Sequence, residues 1–246
     1  AYTSGLNVLY RTNNGGGWSA AETVATSLGN LDIHLVYSGT VPYVSWANQT
    51  GAATSRPYMA YKPAGSWIGL GGSNAGNGVC AFCTNDWLVE AADIAIDTTT
   101  GRPGIVFAGY DQVSFAAGDT YFVEWNGSAW VDAAGGAPSA SGTAGVLAGF
   151  ANAFGIGMWP SLAYNNAGTP FVALTEIYDD NGNFLADPGE EEVAVATFSG
   201  SWSLTRLTVG GGNDGFPEIQ FNGAEGMGVY RDDFDGFFDV NFNCSF

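Results

Sequence analysis

Leu31-Asp-Ile-His-Leu-Val-Tyr-Ser-Gly-Thr-Val-Pro-Tyr-Val-Ser-Trp46 alternates apolar and polar residues on both sides of a Ser-Gly-Thr break. Period-2 alternation is a strand pattern, and glycine at the break makes the pair a hairpin. The unit returns three times. It reads Asp93-Ile-Ala-Ile-Asp-Thr-Thr-Thr-Gly-Arg-Pro-Gly-Ile-Val-Phe107, then Ser161-Leu-Ala-Tyr-Asn-Asn-Ala-Gly-Thr-Pro-Phe-Val-Ala-Leu174, then Glu218-Ile-Gln-Phe-Asn-Gly-Ala-Glu-Gly-Met-Gly-Val-Tyr230. Ile33, Ile94, Leu162 and Ile219 are equivalent positions, 61, 68 and 57 residues apart. A second unit also occurs four times: Leu6–Tyr10 leads to Trp18, Pro57–Tyr61 to Trp67, Tyr121–Trp125 to Trp130, and Val193–Phe198 to Trp202. Each is a strand ending in an aromatic, a Gly/Ser turn, and a Trp opening the next strand. The two units together make a four-stranded antiparallel blade, and no long helical pattern interrupts them.

Such repeats resemble β-propeller blades, in the broad group of sialidase-like and lectin-like propellers. The resemblance implies an all-β, single β-propeller domain over 1–246, of four blades or alternatively five. Its parts are a half blade at 1–24, blades at 25–75, 87–135 and 159–210, and a closing blade at 215–246. The chain opens with third and fourth strands and closes with first and second ones, so 1–24 is expected to complete the C-terminal blade. Phe237-Phe-Asp-Val-Asn-Phe-Asn-Cys-Ser-Phe246 is a further strand pattern. Five strands then compete for one blade, and one terminal strand, at 6–11 or 237–246, is left surplus. An unpaired edge strand is a template for another chain. The segment 133–175 carries no charge over 43 residues, and 136–158 within it is a Gly/Ala-rich insertion. Exposed, its apolar residues mark an interface; folded back, they cap the propeller.

Lys+Arg is 6 and Asp+Glu is 24, giving a net charge of −18 with only 12% of residues charged. The acidity is a shortage of bases. It excludes nucleic acid as a partner, because a phosphate-backbone binder needs a basic stripe, and it disfavours anionic membrane surfaces. No apolar stretch is long enough to span a bilayer. The chain opens on Ala1 without Met, which fits a processed mature chain, extracellular or at the cell surface. Cys80 and Cys83 sit in a Gly/Asn-rich stretch with one further thiol, Cys244. The pair reads as a structural disulfide ahead of redox or metal chemistry, and the odd cysteine is free or available to another chain.

Asp179-Asp-Asn-Gly-Asn-Phe-Leu-Ala-Asp-Pro-Gly-Glu190 is the densest local chemistry. Asp179, Asn181, Asn183, Asp187 and Glu190 fall at the oxygen-ligand spacing of an EF-hand loop. Phe184 replaces the turn glycine and no helices flank the loop, so the expectation is an isolated Ca²⁺ loop. Asp233, Asp235 and Asp239 form a weaker second cluster. The per-blade Trp18, Trp67, Trp130 and Trp202 read as inter-blade core; Trp46, Trp87 and Trp159, outside that register, are the sugar-contact candidates.

The resemblance to sialidase-like propellers implies an Asp box and an arginine triad. No Asp precedes the four tryptophans at the box position, and Arg11, Arg56, Arg102, Arg206 and Arg231 are scattered. Asp32, Asp93 and Glu218 occupy one matched position at the start of three first strands, with Ser161 in the fourth. Such a ring converges near the axis, where end-of-strand solvation or axial water is the plainer reading than catalysis. His34 falls on the channel side. The resulting expectation is a non-enzymatic structural or adhesive subunit that assembles with copies of itself. A glycan-binding lectin is the alternative and a glycosidase the second alternative.

Overall fold

The computed structural model describes residues 1–26, 30–49, 54–83, 87–111, 119–139, 144–146, 158–177, 191–208, 214–222, 225–232 and 239–244. Its elements are strands apart from one 3-10 turn at Leu70–Gly72. Five antiparallel sheets follow one another along the chain. The first is β1 (Tyr2–Ser4), β2 (Asn7–Tyr10) and β3 (Glu22–Thr26). The second is β4 (Asn30–Ser38), β5 (Val41–Gln49), β6 (Ser55–Ala64) and β7 (Ser66–Ile68). The third is β8 (Trp87–Asp97), β9 (Arg102–Asp111), β10 (Asp119–Trp125) and β11 (Trp130–Val131). The fourth is β12 (Met158–Tyr164), β13 (Pro170–Ile177), β14 (Glu191–Phe198) and β15 (Trp202–Arg206), and the fifth is β16 (Gly215–Asn222), β17 (Glu225–Asp232) and β18 (Asp239–Cys244).

Each sheet packs on the next. Val8, Tyr10, Trp46 and Tyr58 join the first two sheets, and Tyr43, Met59, Phe107 and Tyr121 join the second to the third. Phe122, Leu162 and Leu174 join the third to the fourth, and Ala163, Val195 and Ile219 join the fourth to the fifth. The first strands stand side by side, β4 beside β8, β8 beside β12 and β12 beside β16. This is the layout of propeller blades about an axis, with the repeat register carried by the inner strands.

The ends depart from the expected shared blade. Residues 1–26 form a sheet of their own: Tyr2–Ser4 pairs with Asn7–Leu9, and Asn7–Tyr10 pairs with β3. The left-handed Gly5 (φ +59°) makes the turn between β1 and β2. The C-terminal strands β16–β18 pair among themselves, and no ladder joins the two end sheets among the described residues. Among the described residues each end thus contributes a three-stranded sheet. The three-residue β1 is too short to show alternation, which is why 1–24 read as half a blade.

Of the uncharged segment, Ala144 and Val146 are buried and bond to β10. Phe122 N–H donates to Ala144 O (2.8 Å) and Val146 N–H to Thr120 O (2.7 Å). That piece is folded back. Cys80 and Cys83 are joined by a disulfide, compatible with an oxidising compartment. Among the described residues no helix is long and apolar enough to cross a membrane.

Candidate functional site

The matched polar positions converge. Asp93 on β8 is the hub. Ile94 N–H donates to its Oδ1 (2.7 Å) and Leu162 N–H, from β12, to its Oδ2 (2.8 Å). His34 on β4 places Nδ1 2.9 Å from Asp93 Oδ1. Ser161 Oγ on β12 lies 3.3 Å from Asp93 Oδ2 and 3.2 Å from Glu218 Oε2 on β16, and it accepts from Ile219 N–H (3.2 Å). One hydroxyl proton serves one carboxylate at a time. Those two legs bound the Asp93 Oδ2–Glu218 Oε2 separation to at most 6.5 Å. Four adjacent inner strands thus contribute to one cluster, at the wall of a cavity of about 590 Å³ lined by β4, β8, β12, β16 and β17.

Local backbone geometry sets this up. The inner strands each carry a register break near their start, at Leu31/Ile33, Val89/Ala91, Met158/Ser161 and Gly215/Glu218. A bulge re-aims side chains and is common beside active sites. Asp32, Trp159 and Phe216 hold left-handed φ there, +43°, +47° and +53°.

The electrostatics follow from the crowd of carboxylates. Burial alone would lower the His34 pKa. The hydrogen bond to Asp93 and the charges of Asp93, Glu218 and Asp32 outweigh it, and the pKa is raised. Burial lifts the Asp32 carboxyl above its ordinary range, against the pull of His34. Among the described residues no Lys or Arg lines the cavity. Arg56 is spent on Asn77 and the Gly76 carbonyl, and Arg206 on Glu192. Among the described residues no three His, Cys, Asp or Glu side chains gather as a metal site.

The other candidates fall as follows. Asp179, Asn181, Asn183, Asp187 and Glu190 lie outside the described residues, as do Asp233 and Asp235. Asp239 and Cys244 are in β18, and Trp87 is in β8; their side chains lie outside the described residues. Trp46 is 1% exposed and stacks on Tyr58 (5.8 Å between centroids), so it is core and not a sugar contact. Trp159 stacks on Phe216, a residue the sequence reading passed over. Its signal was present, since Trp159-Pro160-Ser161-Leu162 and Phe216-Pro217-Glu218-Ile219 share an aromatic-Pro-polar-apolar pattern.

The recurring tryptophans divide. Trp67 packs edge-on to Tyr10 (5.1 Å), Trp130 Nε1–H donates to Leu70 O (3.0 Å), and Trp202 packs edge-on to Phe122 (5.6 Å). Trp67 and Trp202 reach the preceding sheet, and Trp130 reaches the 3-10 turn that follows β7. Trp18, in the first sheet, is 67% exposed, which corrects its assignment to the core.

No family model matches the chain. No curated protein matches it in sequence. Solved structures share its fold. The endo-arabinase from Bacteroides thetaiotaomicron VPI-5482 is 12% identical over 98% of this chain and 86% of that one, with a TM-score of 0.52. The Hadza microbial sialidase Hz136 is 10% identical over 88% of this chain and 45% of that one, at 0.55. A protein of unknown function from Dyadobacter fermentans DSM 18053 is 8% identical over 96% and 62%, at 0.59. At these identities the likeness establishes the propeller-type, all-β fold. It also overturns the expectation of a non-enzymatic structural subunit, because two of these neighbours are named as carbohydrate-active enzymes.

Proposed function

We propose that this chain is a glycoside-cleaving propeller acting on a neutral glycan at the inner-strand carboxylates, in a ring of five blades. The observation that carries this is the convergence of Asp93, Ser161 and Glu218, from three inner strands, on one cavity, with His34 of a fourth strand against Asp93. Glycosidic cleavage needs two carboxyl groups flanking the bond, one protonated to serve the leaving oxygen and one ionised. Their environments must differ for both states to coexist near neutral pH. Here Asp93 is buried, accepts two backbone N–H bonds and faces His34. Glu218 is exposed, within reach of a substrate.

The charge pattern selects the substrate. Sialic acids and uronic acids would meet Asp93 and Glu218 with no Arg or Lys among the described lining residues, so neutral sugars are the class that fits. The test is release of reducing ends from neutral arabinan, xylan, galactan and mannan, with polygalacturonate as the anionic comparison. Asp93→Asn and Glu218→Gln are each expected to lower turnover by about 10²–10⁴-fold while leaving the fold intact. Absence of release from every polymer, or release indifferent to both changes, would falsify the reading.

A further inference from the structure

We infer that Trp159 and Phe216 form an aromatic platform on which a sugar ring of a neutral glycan stacks, beside the inner-strand carboxylates. The choice of a neutral sugar rests on the function proposed above; the platform itself rests on separate observations. The two rings lie 4.0 Å apart between centroids, at 27° between planes. They come from adjacent inner strands, each two residues before a member of the carboxylate cluster, Trp159 before Ser161 and Phe216 before Glu218.

Core packing does not account for this pair. Bulky residues rarely adopt φ of +47° and +53°, and a residue before proline is restricted further. A core aromatic needs no such backbone, and Phe216 remains 41% exposed, so burial offsets little of the strain. The conformation is held from below, where Phe216 N–H donates to Oγ1 of the buried Thr175 (3.2 Å). Strain maintained at an exposed aromatic points to function. Asp32 takes the same left-handed conformation at the register break of β4. One backbone device thus operates at a carboxylate and at both rings, at the same end of the inner strands. That pairing suits a sugar. The C–H face of the ring lies on the aromatic, and hydroxyls at its edge donate to the carboxylates.

The test is affinity electrophoresis of the full chain in gels containing arabinan, xylan, galactan or mannan, with polygalacturonate as the anionic control, alongside hydrolysis of the same polymers. Phe216→Gly removes the ring and relieves the backbone, so the protein is expected to fold while its retardation weakens at least about tenfold. Phe216→Leu keeps an apolar side chain without a ring, and Trp159→Ala removes the other ring; both carry the same expectation. Trp159→Phe, which keeps a ring, is expected to stay within about threefold of wild type. Glu218→Gln, whose amide oxygen still accepts from a sugar hydroxyl, should lose turnover and keep its Phe216-dependent retardation. Retardation that survives Phe216→Gly and Phe216→Leu overturns the platform, as does a wild-type chain that none of the polymers retards. If hydrolysis depends on Glu218 but KM ignores Phe216, the platform falls and the glycosidase reading stands. If no polymer is cleaved but retardation needs Phe216, the platform stands and the hydrolytic reading falls.

Discussion

His34 faces three carboxylates, so its protonation couples the site to pH. Its pKa is raised above the ordinary 6.5. A raised folded-state value means that the stabilisation is complete below pH 6.5 and is lost as pH rises through the lifted pKa. Asp32 is also raised, but from 3.8, so its stabilisation is lost in a more acidic window. The Tm is therefore expected to fall as pH rises above 6.5, and His34→Gln should flatten that part of the profile. An unchanged slope in the variant would remove His34 from the site's electrostatics. The sequence displayed Asp32, Asp93, Ser161 and Glu218 as a matched set because the repeat fixes their register. It hid their links, since Leu162 N–H reaching Asp93 is a contact between blades 69 residues apart along the chain. Trp46 misled because falling outside a repeat register says nothing about which face of a strand a side chain takes.

Gly104 on β9 makes room for Tyr164 on β12. A Cβ on Gly104 would sit 2.0 Å from Tyr164 Oη and 3.2 Å from Phe122 Cε2. Gly104→Ala is expected to cost about 1–3 kcal/mol by overpacking. Adding Tyr164→Phe should recover part of the loss, because it removes the nearest clashing atom; additive losses in urea melts would contradict that contact. The Cys80–Cys83 bridge is a second element-scale lever. Both sulfurs are buried against the core between the second and third sheets. A loop this short constrains the unfolded chain only modestly, so Cys80→Ser with Cys83→Ser should cost about 2 kcal/mol from chain entropy, plus the burial of two hydroxyls. Denaturation with and without reductant would measure the first contribution alone. Alternation made most inner and middle strands legible. It failed at β1, which is too short to alternate, and at Ala144–Val146, whose pairing to β10 is made by backbone groups with no side-chain pattern behind it.

At the scale of the whole molecule, charge was fully legible and ring closure was not, because closure depends on contacts between the two ends of the chain. The net charge of −18 is carried by few charged residues. Several acids are taken up inside: Asp93, Asp97, Asp119, Asp132, Glu192 and Asp214 are buried in hydrogen-bonded settings. Asp97 shows the consequence. Burial would raise it, but bonds from Thr100 and Thr99 prevail and hold it low. The remaining acids repel one another across the surface, with few bases to answer them. Such repulsion is screened with a Debye length of about 10 Å at about 0.1 M salt. Raising NaCl from about 20 mM to about 200 mM at neutral pH should therefore raise the Tm by several degrees. Near the sequence pI of about 4.1 the net charge vanishes, and the same salt step should do almost nothing. A salt effect equally large at both pH values would mean that general solvent exclusion, not self-repulsion, is at work. Calcium chloride at matched ionic strength separates screening from site binding. A further rise that Asp179→Ala abolishes is the signature of a cation held by the Asp179–Glu190 loop, since a ligand bound only by the folded chain adds about 2.7 kcal/mol at about 100 times its Kd.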